Sequence, residues 1–229
     1  YSNLGNNEMA LKLQLQALGL IESGLGKEHA SYRIVMNNIA STYAELSKNL
    51  NDKNNSLYTF YTQKSISYYQ SCLELTMKGS IDYALSLDNL SVLYGELGEH
   101  SLALDNSKEA VDIYRDLLGR KHVDYSTAIS NLARRYSDLG DHIKALELQK
   151  EVLEINKEIY GEEGYAVDNI PALNNIFWTY FYLNDFDNSL KYLIKTKKVL
   201  QHQYLNNERS LNSRLIQLSY DYLLENFQH

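Results

Sequence analysis

The chain has 229 residues, a formal net charge of −7, one proline and one cysteine. A single cysteine excludes an internal disulfide and a cysteine-built zinc site, and so little proline argues against a loop-rich all-β fold. The acidic balance argues against a general nucleic-acid binder, and the longest apolar stretch, Ile176 to Leu183, is about half of what a membrane span needs. A cytoplasmic, helical protein without cofactors, nucleic-acid partners or membrane contact is the expectation.

In chain order, Tyr1-Ser2-Asn3-Leu4-Gly5 reads as the end of a helix, so the sequence is expected to be a fragment of a longer chain. Glu8-Met9-Ala10-Leu11 opens a helix over roughly 6–24. Met36, Ile39, Ala40, Tyr43 and Leu46 then fall on one face of a helix over 30–47. Residues 48–55 are polar and asparagine-rich, a loop insertion that stretches the period. Helices follow over 56–75, 80–97, 100–118, 123–139, 142–160, 166–183, 186–204 and 208–226. Leu87, Leu90, Ser91, Tyr94 and Leu97 make the apolar face of the 80–97 helix. Ile129, Leu132, Ala133, Tyr136 and Leu139 repeat it, as do Leu173, Ile176, Phe177, Tyr180 and Leu183. Leu215, Leu218, Ser219 and Tyr222 carry the same pattern in the last helix.

Two helix types therefore alternate. Gly98 and Gly140 lie 42 positions apart, as do Gly119 and Gly161. Glycine just past a periodic run is a helix stop signal, and Glu99 and Asp141 stand where an acid favours the next helix start. Ala103 and Ala145 are small where the two helices of a hairpin must approach closely. A hairpin of this kind cannot bury its apolar face alone, so neighbours must stack.

The pattern resembles a tetratricopeptide repeat (TPR) array of the long, 42-residue type found in kinesin light chains and many bacterial TPR proteins. Gly119-Arg-Lys-His122-Val-Asp124-Tyr-Ser-Thr-Ala128 and Gly26-Lys-Glu-His29 match that subtype's inter-repeat loop in part, with Ala30 and Val123 replacing its proline. The resemblance implies an all-α, right-handed α-solenoid of antiparallel helix hairpins. It implies a single array over 1–229 with about ten helices and four to five repeats.

Nothing in the sequence forms a P-loop, a zinc-protease helix or a nucleophile elbow, so no catalytic, cofactor-binding or metal residue is assigned. A hydrolase built into the array would need a converging catalytic set, which the sequence lacks. His100 and His142 share a repeat position with Phe186, which suits a half-buried packing ring. His29 and His122 suit turn or capping roles. Cys72 is expected to be a small buried residue. Tyr43, Tyr94, Tyr136, Tyr180 and Tyr222 recur at one core position, whereas Tyr58, Tyr61, Tyr68 and Tyr69 cluster, some of them expected to be exposed, and suit either local packing or an interface.

Asn38, Asn89, Asn131 and Asn175 each precede the core Leu or Ile of a first-type helix, and Gln217 takes that place in the last. The resemblance puts this position in a concave, peptide-binding groove. An amide both donates and accepts, so it can pair with a peptide backbone of any sequence; the alternative is a bond to a neighbouring helix. Three and seven positions on stand Ser41 and Glu45, Val92 and Glu96, Arg134 and Asp138, and Trp178 and Tyr182. With Asp88, that is four acids against one arginine, which disfavours binding of a C-terminal carboxylate and favours a peptide with a basic part. Trp178, Phe181 and Tyr182 suit an apolar anchor. The expected partner is a protein or peptide, with other domains of the same full-length protein as a possibility. The leading reading is a non-catalytic interaction scaffold; the alternative is the regulatory or sensor region of a larger signalling protein or enzyme, such as a caspase-like protease, kinase or transcription regulator. Lys191, Lys195, Lys197 and Lys198 form a basic strip on a second-type helix, read as a solvated face or a partner patch.

Overall fold

The structure, a computed structural model, describes residues 3–50 and 52–206. The regular elements among them are all α-helices: α1 (Asn3–Gly24), α2 (Ala30–Lys48), α3 (Ser56–Leu75), α4 (Ile81–Glu96), α5 (His100–Leu118), α6 (Val123–Asp138), α7 (His142–Asp168), α8 (Ile170–Tyr182) and α9 (Phe186–Asn206). The even-numbered helices are the first type and the odd-numbered the second.

Local chemistry explains the boundaries. Asn55 and Ser80 cap α3 and α4, accepting from the Leu57 and Tyr83 amides through their side chains. His29 and His122 cap α2 and α6, each Nδ1 accepting from the amide two residues on. Their turn role is therefore an N-cap, served by an imidazole in place of a carboxylate or hydroxyl. Three first-type helices, α4, α6 and α8, close with one repeated motif. The amides of Glu99, Asp141 and Asp185 donate to the carbonyls of Tyr94, Tyr136 and Tyr180 at 2.9, 2.9 and 3.0 Å. That closure needs a left-handed residue in between: Gly98 and Gly140 supply it at φ +82°, and Asn184 at +58°. Asp141 and Asp185 then start α7 and α9, accepting from the Lys144 and Asn188 amides.

The helices fall into two compact units, Tyr1–Ile113 and Tyr114–His229. In the first, consecutive helices pack in pairs. Ile39, Tyr43 and Leu46 of α2 bury between Leu11 and Leu18 of α1 and Tyr61 and Tyr68 of α3. Tyr69 of α3 joins Ala40 of α2 to Leu90 and Leu93 of α4. In the second unit, α6 pairs with α7, α7 with α8 and α8 with α9. Phe177 of α8 packs with Leu193 and Leu200 of α9.

Close approach within a hairpin is built from small residues, as the sequence suggests: Ala103 and Ala145 are fully buried. Where serine holds that position its hydroxyl bonds the facing backbone. Ser65 donates to the Ala40 carbonyl at 2.7 Å, and Ser189 to the Phe177 carbonyl at 3.1 Å. A second bridge recurs between hairpins: the Thr42 hydroxyl donates to Gln14, and the Thr179 hydroxyl to Gln149, each at 3.0 Å.

Three expectations change. Helix α7 extends to Asp168, with a break at Gly161 (φ 70°, ψ −177°), and α8 starts at Ile170 rather than near 166, with Pro171 in its first turn. Proline suits that position because the first helical amides lack intrahelical acceptors anyway. None of the clustered tyrosines is exposed: Tyr58 and Tyr69 are buried, and Tyr61 and Tyr68 are half-buried against Tyr43. They fill the space between α2, α3 and α4 rather than offering an interface. Among the described residues the recurring tyrosine is buried at Tyr43 and half-buried at Tyr94, Tyr136 and Tyr180. The expected 208–226 helix and Gln217 lie outside the described residues.

Candidate functional site

The ladder positions sit on the first-type helices as their register requires. Asn38 is exposed beside fully buried Ile39, while Asn89, Asn131 and Asn175 are half-buried beside Leu90, Leu132 and Ile176. Two of the four line clefts, one in each unit.

In the first unit a cleft of about 140 Å³ opens between α2 and α4, floored by the end of α3. Its walls include Arg33, Ile34, Asn37 and Asn38 of α2, Cys72 and Thr76 beneath, and Asp82, Leu85 and Ser86 of α4. In the second unit a cleft of about 260 Å³ opens between α6 and α8, floored by α7. Its walls include Ser126, Thr127, Ser130 and Asn131 of α6, Val152 and Asn156 beneath, and Pro171 and Ala172 of α8. Counted from the ladder asparagines, Arg33 corresponds to Ser126, Ile34 to Thr127, Asn37 to Ser130, and Ser86 to Ala172. Counted from the close-approach residues Ser65 and Ala145, Cys72 corresponds to Val152 and Thr76 to Asn156. The two clefts are the same site of the repeat, formed twice.

Their chemistry differs. The first carries both charges and a thiol. Cys72 is buried, its Sγ 3.8 Å from the Arg33 carbonyl, and burial pushes the thiol up to about 11. Nearby Tyr69 is pushed up to about 12, also by burial. Neither group ionises near neutral pH. The second cleft is neutral and rests on a buried polar chain: the Ser126 hydroxyl donates to Asn156 Oδ1 at 2.5 Å, and Asn156 Nδ2 donates to Asn169 Oδ1 at 2.8 Å.

The residues three and seven positions on from each asparagine divide by unit as well. Ser41 and Glu45 are exposed and Val92 and Glu96 half-buried. Tyr58 is raised by burial first and by the negative charge of Glu96 second, so Glu96 faces α3 as well as the α4 surface. In the second unit Arg134 is exposed, whereas Asp138 is held 3.4 Å from the guanidinium of buried Arg135. Trp178 is 38% and Tyr182 57% exposed. Trp178 meets Phe177 and Phe181 edge-on, and Tyr182 stacks on His142 with ring centroids 5.2 Å apart. The His142 ring is thus half-buried and packed, and its Nδ1 lies 3.3 Å from the Ser137 hydroxyl. Among the described residues, no three His, Cys, Asp or Glu side chains cluster as metal ligands, and no helix is long and apolar enough to cross a membrane.

Sequence reasoning singled out Asn38 and Asn131, which line the clefts, but not the floors, Cys72, Thr76, Val152 and Asn156. Their signal was available: seven and eleven positions past the small residue of each second-type helix, on the same face.

Residues 82–158 match the tetratricopeptide repeat family model. Over that stretch the chain is similar to tetratricopeptide repeats. Solved structures agree with the fold. A protein of Podosopora anserina, described as a kinesin light chain with nearly identical TPR-like repeats, superposes with a TM-score of 0.68 at 16% identity, covering 91% of this chain and 92% of that one. BtubC (BKLC) of P. vanneervenii gives 0.59 at 16% identity, over 92% and 95% of the two chains. MamA gives 0.52 at 16% identity, over 87% and 91%. No curated protein matches the sequence. The likeness shows an all-α, TPR-like fold of stacked helix hairpins.

Proposed function

We propose that the chain is a non-catalytic scaffold whose repeat clefts each take a segment of extended peptide. One observation carries this: the same cleft recurs at the same repeat positions in both units, each time with a ladder asparagine, Asn38 or Asn131, in its wall. An amide at that place can donate to a peptide carbonyl and accept from a peptide amide, which holds the backbone without reading its sequence. Asn89, Asn175 and, by sequence position, Gln217 would act in the same way. Selectivity would come from the flanks. Asp82, Glu45 and Glu96 in the first unit favour a basic segment, with Asp138 contributing less because Arg135 already holds it. Trp178 and Tyr182 in the second unit offer an apolar anchor.

The test is selection of peptides from an unbiased displayed library on the purified chain, with affinities of the winners read by fluorescence anisotropy. Basic peptides with an aromatic or aliphatic residue are expected. Asn38→Ala or Asn131→Ala should each weaken binding about two- to tenfold, the worth of one backbone hydrogen bond. Trp178→Ala should weaken it further. Selection of acidic peptides, or an unchanged affinity in Trp178→Ala, would sink the reading.

A further inference from the structure

The floor of the α6–α8 cleft has more hydrogen-bonding capacity than its own bonds use. Asn156 is 7% exposed, yet it lines the cleft. Its Oδ1 accepts from the Ser126 hydroxyl, and its Nδ2 donates to Asn169 Oδ1. Those are the side-chain bonds it makes among the described residues. A carboxamide has two N–H donors and an oxygen that accepts twice. One donor and one acceptor of Asn156 are therefore left for whatever enters the cleft. Ser126, buried beside it, has given its proton to Asn156 and can still accept. Thr127, Ser130, Asn131 and Tyr160 add hydroxyl and amide groups around this floor, and none of the described residues lining the cleft is charged.

That chemistry selects its occupant. An aliphatic side chain on the floor would strip water from Asn156 and leave its spare donor and acceptor unpaired. A charged side chain would lie against neutral groups, with no counter-charge to offset its lost hydration. The complementary group is neutral and carries a donor and an acceptor side by side. A primary carboxamide does, and it can meet Asn156 amide to amide through two hydrogen bonds. The cleft, about 260 Å³, admits a side chain of that size. The α2–α4 cleft lacks this floor: Thr76 returns its hydroxyl to the Cys72 carbonyl, and Arg33 and Asp82 put charge on the walls.

We infer that the α6–α8 cleft is a subsite for a glutamine or asparagine side chain of the bound segment, and that Asn156 is the residue that selects it. The inference rests on the reading of the clefts as peptide subsites and adds to it a side-chain preference. Asn131 in the wall holds the segment's backbone, and the carboxamide enters between α6 and α8 to reach Asn156. A site built to bond both halves of an amide rejects an analogue that lacks them, because its own polar groups are then left unpaired.

The test uses peptides selected from a displayed library on the 229-residue chain. One peptide position should be enriched in glutamine or asparagine. Replacing that residue by leucine, close to it in size, should weaken binding about tenfold or more in fluorescence anisotropy. Asn156→Thr installs the residue that the first cleft carries as Thr76, and should cut this preference to under about threefold. Thr127→Trp fills the cleft from an exposed wall position and should cut it likewise. Circular dichroism checks both folds, and Thr127→Trp decides alone where Asn156→Thr does not fold. Selected peptides with no enriched carboxamide overturn the inference, as does a preference that persists in either folded variant. In both cases weaker binding to Asn131→Ala would leave the peptide-binding reading standing. No selected peptide at all overturns both.

Discussion

The cleft between α2 and α4 and the cleft between α6 and α8 occupy the same place in the repeat but solve the same packing problem with different chemistry. Below the first lie Cys72 and Thr76, and Thr76 merely returns its hydroxyl to the Cys72 carbonyl at 2.6 Å. Below the second, Asn156 fills the Thr76 position and ties α6 to the start of α8 through Ser126 and Asn169. A like contrast holds one step along the first-type helix, where Ala40 and Phe177 are equivalent. Alanine leaves room that Tyr69 of α3 fills, whereas phenylalanine fills the space itself against Leu193 and Leu200. A solenoid repeat constrains where a side chain points, not what it is, provided the neighbouring helix compensates.

The contrast can be broken most sharply at Phe177. Phe177→Ala should cost about 3–5 kcal/mol in urea unfolding, as expected for emptying a buried aromatic site. A loss below about 1 kcal/mol would mean that α8 and α9 do not depend on that ring.

Alkaline pH probes the first unit. Cys72 and Tyr69 are both raised by burial, to about 11 and about 12. The folded state holds their protons more tightly than the unfolded chain does. Their contribution to stability is therefore complete below the unfolded thiol and phenol ranges and is lost as pH climbs toward 11 and 12. Alkylation of Cys72 near neutral pH should run on the order of a hundredfold slower in the native chain than in urea. A native rate equal to the unfolded one would show that the thiol is open to solvent.

The cleft floors should differ in stability as well. Asn156→Ala removes the acceptor of the buried Ser126 hydroxyl and the bond to Asn169 Oδ1 and should cost about 1–3 kcal/mol. Thr76→Ala, which removes only a local back-bond, should cost less than about 1 kcal/mol. Equal losses would mean that the polar chain beneath the second cleft adds nothing.

The smallest effects lie at the helix stops. Gly140→Ala forces a side chain into a left-handed turn and should cost about 1–2 kcal/mol. Asn184→Gly, at the equivalent turn of α8, should stabilise by less than about 1 kcal/mol, because asparagine already tolerates that conformation. Thermal melts of the two variants, moving in opposite directions, check both.

Legibility followed periodicity. Helices α2 to α6 end within two residues of where apolar spacing, glycines and acids put them. The exception, α7, shows why. The stop at Gly161 is real, with a left-handed backbone, but helix resumes beyond it and only Pro171 sets the start of α8. The asparagine ladder was readable because it repeats. The exposure of Tyr58, Tyr61, Tyr68 and Tyr69 was not, because a tyrosine suits a core and an interface equally until its neighbours are known.

The sequence by itself determined the hairpin, its period, its caps and its close-approach residues, all of which are decided within one or two turns of chain. Only the tertiary structure decided which faces stay covered: that the tyrosines pack inward, and that Cys72 and Asn156 floor equivalent clefts. Those outcomes depend on the helix that lies across the gap, and a helix's own pattern states which side is apolar but not what meets it.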